Sequence, residues 1–212
     1  MNEDSPSGPP SGKQRLRDKI RGATASAILE ASEAIFAEQG LNSARMDDIA
    51  ARAGVAVGTL YNYFADRTAL ISALVDSRRD ELIQRIDQAL ASAEALPFAK
   101  QLEAFVMAAF QHFKTHRPFL TILMEGESAH LATAKPRDSV RALFERCEAL
   151  VARGVELGAV KNDTLVDYAA MLLGCLRAVF TRGRICGDPV DPTAENAVAL
   201  VDFFLRGAGS PA

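Results

Sequence analysis

The residues with most to offer chemically lie in one short run, Val57-Gly58-Thr59-Leu60-Tyr61-Asn62-Tyr63-Phe64. Leu60 and Phe64 are four apart and define an inward face. Val57, Gly58, Thr59, Tyr61, Asn62 and Tyr63 spread over the remaining circumference of a short helix. That outer set is hydroxyls, an amide and bare backbone, groups that suit phosphate oxygens and base edges. A helix face meant only for solvent is more often built from Lys, Glu and Gln. Thr59 and Tyr63, also four apart, are spaced to hold one phosphate between them.

The elements that must position this run are legible on both sides of it. Ile49, Ala50, Val55 and Leu60 fall where two helices crossing at a wide angle bury small or branched apolar groups. Gly54 marks the sharp turn between them, where a residue without Cβ takes positive φ without strain. The spacing predicts a second helix over about 46–53 and a third over about 57–64. A first helix carries Ile28, Leu29, Ile35 and Phe36 and ends at Gly40, and Asp66 caps a long fourth helix that keeps its period to Pro97.

The stretch from about Thr24 to Val75 resembles the DNA-binding domain of the TetR family of transcriptional regulators. The matching residues are Ala53-Gly54-Val55, Gly58-Thr59-Leu60-Tyr61, Phe64 and Arg67. Each fragment is weak alone, and together they are specific. The resemblance implies that Thr59, Tyr61, Tyr63 and Arg67 contact DNA, with Val57, Gly58 and Asn62 nearest the bases. Arg67 stands where the family usually has Lys, keeping the charge and gaining a planar fork. Tyr61 and Tyr63 have a second use as packing rings, Tyr61 above all. Arg45 stands where Ser or Thr commonly precedes the second helix. Either a phosphate faces Arg45, or Ser43 or Asp47 repairs the helix start and Arg45 points to solvent.

A net charge of -3 argues against a general polyanion binder. Charge is instead local: Lys13, Arg15, Arg17, Lys19 and Arg21 face one anion, Asp18. Such a segment is a solubilising tail in most contexts. Just before a helix-turn-helix it is a basic arm, and Lys13, Arg15, Arg17 and Lys19 join the expected DNA contacts. Residues 1–12, rich in Pro, Gly and Ser, are expected to be a disordered tail. The domain boundaries expected are 13–66 for the DNA-binding head with its basic arm, 67–207 for an effector-binding and dimerisation body, and 208–212 for a short tail.

Beyond Pro97 the pattern stays helical, so the fold class is all-α with about nine helices. A fifth spans about Phe98 to His116, a sixth the segment PFLTILMEGESAHL, a seventh about Pro136 to Leu157 ending at Gly158, an eighth about Leu165 to Arg182, and a ninth about Thr193 to Arg206. The eighth is apolar nearly all round, which demands burial on both sides. Leu172, Leu176, Val179, Val198, Leu200 and Val201 are therefore the expected homodimer interface. Met107, Phe110, Phe113, Phe119, Met124, Phe144 and Met171 are either plain core or a soft pocket for an apolar or aromatic effector, and the resemblance favours the pocket for part of the set.

His112 and His116, spaced i, i+4, offer two imidazoles on one helix face. His130, Glu125, Glu127 and Cys147 are available to complete a metal site, but no compact motif ties them together, and neither metal nor cofactor is expected. Cys147, Cys175 and Cys186 are odd in number and far apart, so free thiols are expected. No apolar run of membrane-spanning length and no signal pattern appear, which makes a cytoplasmic protein the default. No phosphate loop or nucleophile elbow supports an enzyme. The expectation is a dimeric DNA-binding regulator, a repressor on a pseudo-palindromic double-stranded operator, released by a small hydrophobic or aromatic effector. The alternatives keep the fold and make it an activator, or place it under thiol oxidation or a protein partner.

Overall fold

The computed structural model describes residues 12–117, 136–163, 166–186 and 193–209. Eight helices lie among them: α1 (Gly12–Gln39), α2 (Met46–Ala53), α3 (Val57–Tyr63), α4 (Arg67–Ala93), α5 (Phe98–Thr115), α6 (Pro136–Glu156), α7 (Tyr168–Cys186) and α8 (Ala194–Ala208). The chain is all-α, as its periodicity predicts, with one isolated bridge between Val160 and Gly209 among the described residues. The expected sixth helix, with Phe119 and Met124, lies outside the described residues, as do the 1–11 segment and the last three positions.

The chain divides into two compact units, up to Leu74 and from Val75 onward, so α4 contributes its first turns to the head. In the head α1 packs on α2 and α2 on α3. Ile28, Ile35, Phe36, Ile49, Ala50, Leu60, Leu70 and Leu74 form its buried interior. Burying one such branched side chain contributes about 1.5–3 kcal/mol. Local signals set the ends of the elements. Gly40 takes φ +81° after α1, and Asp66 Oδ1 accepts the Ala69 N–H at 2.8 Å to start α4. α1 begins earlier than its apolar face requires, so the basic segment is the exposed N-terminal part of a helix, with Leu16 and Ile20 exposed beside the cations.

In the body, α5 packs on α8, α6 on α7 and α7 on α8. Leu102, Phe105, Val106, Phe110, Leu172 and Val201 are buried there. A capping box starts α8, where Thr193 Oγ1 accepts from the Asn196 N–H and Asn196 Oδ1 from the Thr193 N–H. This packing corrects the expected interface. Leu172, Leu176, Leu200 and Val201 are buried within one chain, and Val179 is half-buried. The all-round apolar character of α7 is satisfied mostly by α6 and α8. What stays exposed is Met171, Gly174 and Ala178 on α7 and Val198, Ala199 and Phe203 on α8, with Phe203 69% accessible.

Gly154 of α6 lies so close to its neighbours that a Cβ there would sit 2.7 Å from Val160 Cγ2, 2.8 Å from Phe98 Cε1 and closer still to Phe98 Cζ. Gly154→Ala should destabilise the body by about 1–3 kcal/mol, measured as a Tm lowered by several degrees, because overpacking of this kind must displace a ring. An unchanged Tm would mean that Phe98 has room to move.

Candidate DNA-binding interface

α3 is held at both ends by short-range chemistry. Gly54 caps α2 in the left-handed conformation, φ +69° and ψ +28°, with its N–H directed to the Ala50 and Ala51 carbonyls, and the Val55 N–H donates to Ala50 O at 3.0 Å. An L residue with a Cβ is disfavoured there by about 1–2 kcal/mol. After this turn Leu60, fully buried, and Phe64, 9% exposed, anchor the helix inward. Val57, Gly58, Tyr61 and Asn62 consequently face solvent, and Thr59 and Tyr63 are half-buried at the margin.

The two tyrosines exchange the uses expected of them. Tyr61 is 47% exposed, whereas Tyr63 packs, its ring centroid 6.4 Å from that of Phe64 and 5.9 Å from the Arg21 guanidinium carbon. A cation at that distance over a ring is attracted by the ring quadrupole. Lys13 and Arg17 precede Arg21 at four-residue intervals on α1, so these three share a helix face that ends at Tyr63. Arg15 and Lys19 are exposed on the opposite side of α1.

Arg67 is used internally. Its Nη1 donates to Ala44 O at 2.7 Å and its guanidinium lies 5.8 Å from the centroid of Phe36, which ties the first turn of α4 to the residues just before α2. Its position in the motif therefore corresponds to a positioning residue, and the outward contact implied by the resemblance is not the one the side chain makes. Arg45 is the N-cap residue of α2 and makes no capping bond; neither Ser43 nor Asp47 supplies one. Its side chain is 74% exposed and 3.8 Å from Asp47, a surface pair of small worth. Asp47 and Asp48 in the first turn offset the adverse cation at the dipole. Arg52 and Glu38, 2.7 Å apart, and Gln39 and Asp48, 3.2 Å apart, clip α1 to α2. The Arg52 hydrogen bond holds the Glu38 carboxyl below its usual range.

In the body, Phe110 and Phe113 are buried and Met107 and Phe144 half-buried, but Met171 is 54% exposed and so leaves the expected effector set. Phe180, which no spacing singled out, lies edge-on to both buried rings, 5.5 Å from Phe110 and 5.2 Å from Phe113. A groove of about 410 Å³ lined by Asp87, Gln101, Glu145, Arg146 and Leu150 shares no residue with this apolar set. His112 and His116 are both buried, with ring centroids 4.8 Å apart, and Glu81 of α4 lies beside them. Burial, with the neighbouring His116 charge, pushes His112 down to about 4, leaving it neutral near pH 7. Burial raises Glu81, and the Arg85 hydrogen bond with the charges around it more than reverses that, to a net lowering. Cys147 is buried and its thiol is pushed up to about 12, mainly by burial, so it is not a reactive thiolate. Cys175 is a half-buried free thiol; the side chain of Cys186 lies outside the described residues.

Residues 28–74 match the family model described as bacterial regulatory proteins, tetR family. The chain is 28% identical over 138 residues to the HTH-type transcriptional regulator YhgD of Bacillus subtilis, covering 63% of this chain and 70% of that protein. It is 29% identical over 145 residues to the HTH-type transcriptional repressor KstR2 of Mycobacterium tuberculosis, covering 66% and 70%. The fold is shared with the transcriptional regulator FadR of Bacillus subtilis, solved in complex with stearoyl-CoA, at a TM-score of 0.70 and 19% identity over 85% of this chain and 95% of that one. The matched segment coincides with the helices that fix Gly54, Leu60 and the polar face of α3, and the relatives are transcriptional regulators: residues 28–74 are a DNA-binding head of the tetR-family type, on a chain similar to DNA-binding transcriptional regulators.

Proposed function

We propose that this regulator is a homodimeric repressor that occupies a two-fold symmetric operator and releases it when an apolar effector enters the body. The observation that carries the DNA half is the exposed polar face of α3, with Tyr61 and Asn62 held outward by the left-handed turn at Gly54. Asn62 is suited to bidentate bonding of an adenine edge, and Tyr61, Thr59 and Arg45 to phosphates. The exposed cations of α1 supply non-specific attraction despite the negative net charge.

Dimerisation rests on the outer faces of α7 and α8. Met171, Gly174 and Ala178 lie on successive turns of α7, and Val198 and Phe203 are exposed on α8. Small residues beside Met171 on α7 and large apolar ones on α8 suit close packing against a second copy. Two half-sites on B-DNA lie about 34–36 Å apart, so an effector that prefers another spacing of the heads must weaken DNA binding by the same coupling energy, about 1–3 kcal/mol.

An apolar effector is supported by the cluster of Phe110, Phe113 and Phe180 and by the ligands in the names of similar proteins. One relative is named a ketosteroid regulator, and FadR was solved with a long-chain acyl-CoA. The polar groove on α4, α5 and α6 is a poorer match to such molecules.

Asn62→Ala should weaken binding to the selected operator by about 1–3 kcal/mol and leave random DNA nearly unaffected in anisotropy titrations. Lys13→Ala should weaken both and lower the salt slope by about one unit. Equal losses on both DNAs for Asn62→Ala would remove it from base readout.

Phe203→Glu should convert the dimer to a monomer in analytical ultracentrifugation while preserving helical circular dichroism, since the side chain is exposed within one chain. A variant that remains dimeric would move the interface off α8. A long-chain acyl or sterol-like compound that fills the body should raise Tm and release DNA at the same concentrations, both effects arising from one preference between two conformations. In a reporter assay, loss of the gene should raise expression from the operator; a fall would make the protein an activator.

A further inference from the structure

The His112–His116 pair acquires a third partner only in three dimensions. The two imidazoles stand one turn apart at the C-terminal end of α5, His112 in its last turn and fully buried, His116 the C-cap residue and 8% exposed. Glu81 comes from α4, and its two carboxylate oxygens lie 3.3 and 3.4 Å from His116 Nε2. One ligating atom from each of the three residues falls within 4.8 Å of the others. None of the three belongs to the DNA-contacting set, the aromatic cluster or the outer faces of α7 and α8.

We propose that Glu81, His112 and His116 form a binding site for a divalent transition-metal ion of the zinc class, joining α4 to α5. Tetrahedral coordination with bonds of about 2.0–2.1 Å places neighbouring ligand atoms about 3.3 Å apart. The Glu81–His116 edge already has that length, and the remaining edges close by at most about 1.5 Å, within reach of small side-chain rotations. Two imidazoles and one carboxylate with a fourth position for water is a zinc ligand set, whereas magnesium and calcium favour oxygen alone.

The carboxylate is oriented before any ion arrives. Arg85 donates to Oε1 from Nη2 at 2.7 Å and from Nε at 3.1 Å, and Arg78 lies 3.3 Å from Oε2. The two Arg85 bonds take up Oε1, whereas Oε2, with one bond from Arg78, retains acceptor capacity on the side of His116, from which it lies 3.3 Å. The guanidiniums thus serve as outer-shell orienting groups, and their positive charge holds the affinity below that of an all-anionic cage.

The test uses the full-length chain without a histidine tag, titrated with Zn²⁺ against a chromogenic chelator and with Co²⁺ as a spectroscopic probe. One equivalent per chain should bind. The Co²⁺ form should show the visible d–d absorption of a four- or five-coordinate nitrogen–oxygen site, and excess Zn²⁺ at a hundred times Kd should raise Tm by roughly 5 °C or more. Glu81→Gln and His116→Gln, each checked for native helical content, should lower the affinity at least about tenfold and abolish the Co²⁺ spectrum. Glu81 is partly exposed, so its variant reports on the site even where a buried histidine variant unfolds. Substoichiometric binding by the wild type, or an affinity unchanged in Glu81→Gln, would overturn the proposal.

Discussion

The outward polar face of α3 depends on the left-handed turn at Gly54. Its φ of +69° lets the chain leave α2 and enter α3 within three residues, and the same turn fixes which side of α3 is buried. With Leu60 and Phe64 drawn inward, the helix has no freedom to present anything but Val57, Gly58, Tyr61 and Asn62. A helix of seven residues is too short to be stable alone, so its orientation is supplied wholly by packing and by its two ends.

Charge is arranged around that geometry instead of over the whole surface. The chain is net acidic, yet Lys13, Arg17 and Arg21 run along one face of α1 to Tyr63, and Arg45 stands exposed at the start of α2. These exposed cations all lie in the unit that carries α3, so the attraction they give a polyanion is local to the head despite the net negative charge. Arg67 takes the opposite course. Its fork is spent on Ala44 and Phe36, so its value to binding is mechanical, in keeping the entry to α2 where it is.

Features that depend on a few consecutive residues were readable in the sequence. The positive φ at Gly40, Gly54 and Gly158, the cap at Asp66 and the inward pair Leu60 and Phe64 all follow from local spacing. Features decided by distant partners were not. Tyr61 and Tyr63 are indistinguishable in a helical wheel until Arg21 from another helix covers one of them. Leu172, Leu176, Leu200 and Val201 resemble interface residues because nothing in the sequence says that α6, α7 and α8 of the same chain will cover them. Glu81 lies far along the chain from the two histidines it joins and has no spacing signal, while the nearer acids that seemed available, Glu125 and Glu127, lie outside the described residues.

The central claim is that paired α3 helices read two symmetric half-sites. Its most direct test is selection of binding sequences from a random duplex pool by the purified chain, followed by sequencing of the bound fraction. The account predicts an inverted repeat whose half-site centres are one helical turn apart, about 34–36 Å, with recovery lost when Asn62 or the Gly54 turn is altered. A pool that yields no enrichment, or a motif without two-fold symmetry, would contradict it.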